Sequence, residues 1–366
     1  MASFRQIAEH AGVSIATVSR VLNANPNVNE AARKRVLDSV NRFGYVRKVG
    51  KRTVAEGIAL AYAGPVSLGS PFDRDLLQGI GRAVDQTAGI EGFGHDLLVL
   101  SMQRSRRPDE APAQLFLRKG IKGAIIRTTD EYIPVCEELA ASGFPAVVVG
   151  ERFDDDTAVS YVDAQSRSSS AEAVRYLISL GHRRIAVVSN AHDDTDHCDR
   201  IAGWRDAHEE AGLDVDPNLI IRIWASLEAG IQVAKRMKSL PDSTRPTAAY
   251  VVDPMAALGM LRGLQEAGLS VPHDFSLVGF DDGELRRLSY PVMTAVCQSA
   301  IQLGEKAVEL MRALIAQQSV ARSSTGSGKK GSRKSAPRIE PQRVTLNTTF
   351  EVGATTAPPP TDRLRP

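Results

Sequence analysis

The chain has 366 residues, of which 43% are hydrophobic and 24% are charged, and its formal net charge at pH 7 is +2. This length permits two or three folded domains, and no apolar run approaches the length of a membrane span. The three cysteines, Cys136, Cys198 and Cys297, are scattered without C-x-x-C spacing, and the chain begins with a charged helical pattern instead of an apolar signal sequence. We therefore expect free thiols and a cytoplasmic protein.

The positive charge is concentrated at the N-terminus. Residues 1–52 contain ten Lys and Arg against three Asp and Glu, whereas the remainder of the chain is net negative. A cluster of cations in one segment indicates contact with a nucleic acid, because the cations can neutralise backbone phosphates.

Capping residues predict three short helices in this basic segment. Ser3 and Gln6 have the spacing of a capping box, and Gly12 is suited to end the first helix. Ser14 can then cap a second helix and Asn29 a third. Two helices joined by a short glycine-containing turn and followed by a supporting helix form the helix-turn-helix arrangement, whose second helix enters the major groove of DNA.

The second predicted helix has two different faces. At about 100° per residue, one face is an ordinary apolar stripe formed by Val18, Val21 and Leu22. The opposite face carries small residues, one cation and one branched apolar side chain, namely Ile15, Ala16, Ser19 and Arg20. Such a face suits a groove that offers both hydrogen-bonding edges and methyl groups. The third helix is predicted to turn three apolar residues inward, Val36, Val40 and Phe43.

From Gly57 onward, short β-rich runs alternate with helical stretches. The predicted strands are, in chain order, GIALAY, DLLVLSM, KGAIIR, PAVVVG, VSYV, RIAVVS, LIIRI, PTAAYVV, FSLVGFD and MTAVCQ. Helices are predicted to begin near Asp73, Asp109, Glu131, Gln165, Asp199, Ser226, Pro254 and Ser299. This alternation predicts parallel sheets with right-handed crossovers, and the number of strands favours two doubly wound lobes with a ligand cleft at the strand carboxyl ends.

The expected domain bounds follow from these patterns. We predict a helix-turn-helix domain over 1–46, a basic linker over 47–56, a first lobe over 57–162 plus 293–318, and a second lobe over 163–292 plus 344–356. Residues 319–343 are rich in Gly, Ser and Pro and carry seven cations against one acid, so they are predicted to be a disordered insertion.

Six motifs, taken in order and spacing, resemble the lactose-repressor (LacI/GalR) family of transcription regulators over nearly the whole chain. They are IAEHAGVSIATVSRVLN, the Gly44–Tyr45 pair, LGHRRIAVVS, DRIAGW, DPMAALGMLRGLQEAGLSVPHDFSLVGFDD and VGATTAPP. The resemblance implies an all-α DNA-binding domain joined to a periplasmic-binding-protein-like α/β core of two lobes. It also implies a homodimer on a near-palindromic operator, most simply a repressor, whose DNA affinity changes when a small molecule, often a sugar, enters the cleft.

The resemblance also implies contact residues. Ile15, Ala16 and Arg20 take the base-reading positions, where arginine can pair with guanine and an apolar side chain can meet a thymine methyl group. The phosphate-contacting and remaining DNA-binding positions are Ser14, Thr17, Ser19, Asn23, Arg47, Lys48, Lys51 and Arg52. The effector-binding positions are Phe72, Asp73, Arg127, Arg152, Asp163, Arg200, Trp224, Asp253 and Asp281. Asp and Arg side chains can form charge-assisted hydrogen bonds with paired hydroxyls, and Phe72 or Trp224 offers an apolar face to a sugar ring.

Two positions depart from the family pattern. The family usually follows the helix-turn-helix with a hinge helix that inserts a leucine into the minor groove, whereas the linker here contains RKVGKRT, which has neither that leucine nor a helical pattern. Ala164 also stands where the family commonly has Asn after Asp163. The first departure predicts weak DNA bending, and the second leaves the identity of the effector open.

Other classes of protein fit the sequence less well. A sugar-metabolising enzyme can carry an accessory DNA-binding domain, but neither a Walker-type phosphate loop nor a G-x-S-x-G motif is present. A solute-binding protein is disfavoured by the basic N-terminal segment and by the missing signal peptide. The run HDDTDHC, from His192 to Cys198, contains metal-ligating residue types in a predicted acidic loop without ligand spacing, so we expect neither a metal nor a cofactor.

Overall fold

The computed structural model describes residues 3–22, 28–43, 45, 57–66, 69–86, 96–191, 194–280, 283–324 and 340–360. The N-terminal part contains three helices, α1 (Phe4–Ala11), α2 (Ile15–Leu22) and α3 (Glu30–Phe43). The predicted capping box is present, because the Ser3 side chain accepts from the backbone N–H of Gln6 while the Gln6 side chain accepts from that of Ser3. Gly12 ends α1 at φ 63°, a left-handed conformation that favours glycine.

The three helices enclose a small apolar core. Its fully buried residues are Ile7, Ala8, Ala11, Val18, Val21, Val36 and Val40. The prediction for Phe43 was wrong, because 39% of its surface is exposed. Phe43 is the last residue of α3, and its ring lies edge-on to the ring of His10 with 5.1 Å between centroids.

The rest of the chain forms two sheets, each with six described strands. The first has the order β11-β5-β4-β3-β1-β2 and the second the order β12-β10-β9-β8-β6-β7. The strands of the first sheet are β1 (Gly57–Tyr62), β2 (Leu97–Ser101), β3 (Ile121–Arg127), β4 (Ala146–Val149), β5 (Ser160–Gln165) and β11 (Arg343–Asn347). Those of the second are β6 (Ile185–Asn190), β7 (Ile220–Ile223), β8 (Ala248–Val251), β9 (Ser276–Phe280), β10 (Thr294–Cys297) and β12 (Thr349–Glu351). All pairings are parallel except that of β10 with β12.

Helices cover both sheets, as the alternating pattern predicts. The first lobe contains α4 (Pro71–Asp85), α5 (Met102–Ser105), α6 (Pro112–Arg118), α7 (Ile133–Ala141) and α13 (Ala300–Ser324). The second contains α8 (Arg167–Ser179), α9 (Thr195–Glu210), α10 (Leu227–Ser239), α11 (Pro254–Glu266) and α12 (Glu284–Leu288). Separate apolar clusters lie on the two faces of the first sheet, and a third fills the second lobe. The predicted fold class, a helix-turn-helix followed by two α/β lobes, is confirmed.

The strand pairing differs from the predicted lobe boundaries at three places. β5 runs to Gln165 in the first sheet, beyond the expected end at 162, and β10 pairs with β9 in the second sheet although 293–318 was assigned to the first lobe. β11 pairs with β5 in the first sheet, although 344–356 was assigned to the second lobe. Among the described strands the chain therefore changes lobe after β5, after β10 and after β11.

Two segments predicted to be irregular are partly regular. The first six residues of the expected disordered insertion, 319–324, continue α13, and its last residue, Arg343, begins β11, where its guanidinium pairs with Asp155 at 2.7 Å. The expected acidic loop is shorter than predicted, because Thr195 already begins α9 and Asp194 caps that helix. Across the described ranges, no helix combines the length and apolarity that crossing a membrane requires.

Candidate functional site

The first candidate site is the outer face of α2. Val18 and Val21 are buried, whereas Ile15 is 51% exposed and both Ala16 and Arg20 are exposed. This face thus combines an apolar side chain with a cation, which suits a groove that offers both methyl groups and hydrogen-bonding edges. The face predicted from the helical wheel is therefore the face that the fold leaves open.

The start of α2 is fixed by two hydroxyl side chains. The Ser14 hydroxyl accepts from the backbone N–H of Thr17 at 3.1 Å, and the two side-chain oxygens lie 2.9 Å apart. An N-terminus with its hydroxyls oriented in this way suits a phosphate oxygen, because the helix dipole and the hydroxyls both favour an anion there. Ser19, the remaining phosphate candidate on this helix, is partly buried.

Six predicted contact residues lie outside the described residues, namely Asn23, Arg47, Lys48, Lys51, Arg52 and Asp281. Their assignments therefore remain predictions.

The second candidate site is a cleft of about 570 Å³ between the two lobes. It lies at the carboxyl ends of the strands, the position expected for a ligand site in doubly wound sheets. Five of the predicted effector-binding residues line it, namely Phe72, Asp73, Arg127, Arg200 and Asp253.

One wall of the cleft belongs to the first lobe. Arg127, at the end of β3, donates from Nε to Asp73 Oδ1 at 3.0 Å and from Nη1 to the Val149 carbonyl at 2.6 Å. Its guanidinium lies 4.6 Å from the centroid of the Phe72 ring. Asp73 is held in turn by the Ser70 hydroxyl, which donates to Asp73 Oδ2 at 2.7 Å and caps α4. The guanidinium thus has a charge partner and an aromatic partner within its own lobe.

The facing wall in the second lobe has the same composition. Arg200 donates from Nη2 to Asp196 Oδ2 at 3.0 Å, one helical turn away on α9, and from Nη1 to the Val252 carbonyl at 3.0 Å. Its guanidinium lies 3.6 Å from the centroid of the Phe280 ring. Each wall therefore presents an arginine paired with a carboxylate and stacked on a phenylalanine.

Sequence reasoning missed several residues that line the cleft, among them Tyr62, Asp194, Asp196, His197 and Gln298. The His197 ring nitrogen Nδ1 lies 2.6 Å from Asp194 Oδ1, and this contact with the imidazole holds down the pKa of the Asp194 carboxyl although burial opposes it. Burial and the nearby charge of Asp73 raise the pKa of the Tyr62 hydroxyl. One signal was available in the sequence, because Tyr62 ends a predicted strand and the start of α9 follows the strand RIAVVS.

Three predicted effector residues are not part of this lining. Arg152 turns toward α9, where its Nη2 donates to Asp199 Oδ2 at 2.5 Å while its Nη1 lies 3.4 Å from Asp163 Oδ2. Asp163 is fully buried in β5, and burial together with the charge of Asp196 raises its pKa. Trp224 is 68% exposed at the end of β7. In this arrangement Arg152 connects the first lobe to the second beside the cleft.

A further carboxyl group lies at the same junction between the lobes. Glu151 is buried, and its Oε2 accepts from the backbone N–H of Thr195 at the start of α9 at 3.5 Å. Burial raises the pKa of Glu151 to about 7, and the charges of Asp194 and Asp196 contribute in the same direction. The junction therefore contains an acid that titrates near neutral pH.

Comparison with known proteins identifies two matching regions of the chain. Residues 3–48 match the lacI family of bacterial regulatory proteins, and residues 174–335 match the periplasmic binding protein-like domain. Catabolite control protein A from Priestia megaterium is 29% identical over 310 residues, which cover 83% of this chain and 90% of that protein. The HTH-type transcriptional regulator DegA from Bacillus subtilis is 29% identical over 307 residues, which cover 81% and 87%.

Solved structures show the same architecture. The transcriptional regulator CelR–cellobiose complex superimposes with a TM-score of 0.63 at 25% identity, over 97% of this chain and 100% of that one. CcpA of Lactococcus lactis superimposes with a TM-score of 0.62 at 21% identity, over 82% and 99%, which shows a shared fold. The chain therefore combines a domain of the lacI family of bacterial regulatory proteins, over residues 3–48, with a periplasmic binding protein-like domain over residues 174–335.

Proposed function

We propose that this protein is a transcription regulator that reads operator DNA with α2 and changes its affinity when a sugar binds in the interlobe cleft. The observation that carries the DNA-binding part is the open face of α2, with Ile15, Ala16 and Arg20 exposed above a core containing Val18 and Val21. A helix in this position presents its first residues to base edges in the major groove.

Within that face the side chains have different roles. Arg20 pairs with a guanine and discriminates between bases, and Ile15 or Ala16 contacts a thymine methyl group. Ser14, Thr17 and Ser19 contact phosphates and fix the position of α2 without reading the sequence. Asn23 and the basic linker contribute further contacts that do not read the sequence.

Arg20→Ala tests the base-reading role. We expect it to weaken binding to the best duplex selected from a random pool by about 1–3 kcal/mol and to relax the preference at one base pair per half-site. Arg42→Ala is the matched control, because it removes an exposed arginine from α3 outside the reading face. Equal losses of affinity by Arg20→Ala on selected and random duplexes would contradict the proposal.

The cleft is the proposed effector site. Related proteins include a ribose operon repressor and a regulator solved as a cellobiose complex, and the aspartates and arginines of this cleft suit paired hydroxyls. Asp73→Ala and Arg200→Ala should each abolish the thermal shift produced by the active sugar, while operator binding in its absence persists. A thermal shift that survives both substitutions would place the effector elsewhere.

We also propose a homodimer on a near-palindromic operator. The second lobe exposes apolar side chains at the end of α12 and in the segment that follows it, with Leu288 at 74% and Tyr290 at 89% exposure. Val292 and Val352 are exposed beside them, and the Ala354 N–H donates to the Val292 carbonyl to join the two segments. A second copy related by two-fold symmetry would cover this surface and double the DNA footprint.

The protein acts, in this proposal, as a cytoplasmic sensor without catalytic turnover. A sugar-metabolising enzyme is the alternative, and the same incubation separates the two. The sugar that shifts the melting temperature should be recovered chemically unchanged, whereas its conversion to a product would favour the enzyme.

A further inference from the structure

We infer that the cleft selects an uncharged sugar over the phosphorylated and carboxylate forms of the same sugar. This inference rests on the proposed effector site and specifies the charge class of its ligand. It is carried by the charge arrangement of the two walls, in which both arginines already have carboxylate partners.

Each cleft guanidinium already has a carboxylate partner in its own wall. Arg127 pairs with Asp73 and Arg200 with Asp196, both at 3.0 Å, and every one of these side chains is at least three-quarters buried. A phosphate or carboxylate group would either displace a buried, hydrogen-bonded aspartate or bind the remaining N–H donors, such as the buried Arg200 Nε–H, with that aspartate beside it. Leaving a buried aspartate without its cation costs more than an exposed ion pair contributes.

The described lining also has an excess of negative charge. Its carboxylates are Asp73, Asp194, Asp196 and Asp253, and these face the two guanidiniums and the imidazole of His197. Even with that imidazole protonated, the four carboxylates outnumber the three cations. An anionic ligand therefore enters a cleft of its own sign, where like charges repel.

The hydrogen-bonding character of the lining agrees with this conclusion. Carboxylate oxygens only accept hydrogen bonds, so the cleft needs a ligand that donates many of them. Sugar hydroxyls donate and accept, whereas the oxygens of an ionised phosphate group only accept. A neutral polyol can therefore donate hydrogen bonds to the aspartates. An added phosphate would place its own acceptor oxygens against the acceptor oxygens of the aspartates.

Matched sugars test the inference on the full chain. Calorimetric titrations at constant ionic strength should compare glucose, ribose and cellobiose with glucose 6-phosphate, ribose 5-phosphate and glucuronate. We expect binding by at least one neutral sugar and at least tenfold weaker binding by its charged relatives. An anionic member that binds as tightly as its neutral relative overturns the inference and leaves the sugar-effector proposal standing. Silence of the whole panel counts against the sugar-effector proposal alone, and the phosphate test below then decides the inference.

Inorganic phosphate provides a second test that needs no knowledge of the sugar. We expect no thermal shift of the wild-type chain by phosphate beyond that of sodium chloride at equal ionic strength. The double variant Asp73→Asn, Asp196→Asn releases both guanidiniums and should gain a phosphate-dependent shift. Asp206→Asn is the matched control. Asp206 lies on α9, as Asp196 does, and its removal also leaves an arginine, Arg167, without its carboxylate, but Asp206 is not part of the cleft lining.

The outcomes of the phosphate test are decisive in both directions. Operator binding by the double variant verifies that it is folded. A phosphate-dependent shift in the folded double variant but not in Asp206→Asn supports the inference. Stabilisation of the wild-type chain by phosphate, or a folded double variant that gains none, shows that these aspartates do not exclude anions and overturns it.

Discussion

Glu151 makes the stability of the two-lobed core depend on pH. The pKa of its carboxyl rises from 4.5 to about 7 on folding, mainly because the group is buried. A raised folded-state pKa means that the native state binds the proton more tightly than the unfolded chain does. The resulting stabilisation is fully present below about pH 4.5 and is lost as the pH rises to about 7. At about 1.36 kcal/mol per pKa unit, the full loss is about 3 kcal/mol.

Glu151→Gln isolates this effect. The amide has the shape of the protonated acid and can still accept from the Thr195 N–H, but it does not ionise. We expect the variant to match the wild type near pH 4.5 and to be more stable by about 2–3 kcal/mol at pH 8. Urea unfolding followed at pH 4.5, 6, 7 and 8 measures the difference. Glu137→Gln is the control, since Glu137 is an exposed acid on α7. Parallel pH profiles of wild type and Glu151→Gln would refute the reasoning.

Two further predictions concern assembly and the linker. Leu288→Glu with Tyr290→Glu should convert a dimer to a monomer in sedimentation at micromolar concentration, because charges cannot be buried in the proposed interface. Val99→Glu, on the first lobe, is the control and should leave the sedimentation mass of the dimer unchanged. A wild-type chain that is monomeric and still binds its operator with full affinity would contradict the proposed interface. Neutralising the linker cations should flatten the slope of log affinity against log salt by about one unit per lost phosphate contact and weaken all sequences alike. Circular-permutation gel shifts should show little bending, and a sharp central kink or an unchanged salt slope would refute this role for Arg47, Lys48, Lys51 and Arg52.

The sequence predicts the elements of this fold well because their signals are local. Caps at Ser3 and Ser14, the apolar stripe of α2 and the ten β-rich runs all depend on residues within a few positions of one another. Lobe membership depends on distant pairing instead. Nothing local distinguishes β10, which joins the second sheet, from a strand of the first, and β11 and β12 belong to different lobes although a single residue separates them.

The cleft could be predicted in part for the same reason. Asp73, Arg127 and Arg200 follow from motif positions near strand ends, and the structure places all three in the lining. The direction of a long side chain is set by partners that the local sequence does not identify. Arg152 therefore turns to Asp199 on a helix more than forty positions later, away from the expected ligand position.

Arg152 differs from the two cleft arginines because its partner Asp199 lies in the opposite lobe, and this difference matters for how a ligand changes the arrangement of the lobes. Arg127 and Arg200 each pair within their own lobe, so a relative movement of the lobes would break neither ion pair. Arg152 and Glu151, by contrast, contact α9 of the opposite lobe through Asp199 and Thr195. A ligand shifts the arrangement of two lobes only by binding one arrangement more tightly than another. The proposed uncharged sugar would leave both cleft ion pairs intact, and the contacts of Arg152 and Glu151 with α9 are those that a different arrangement of the lobes would alter.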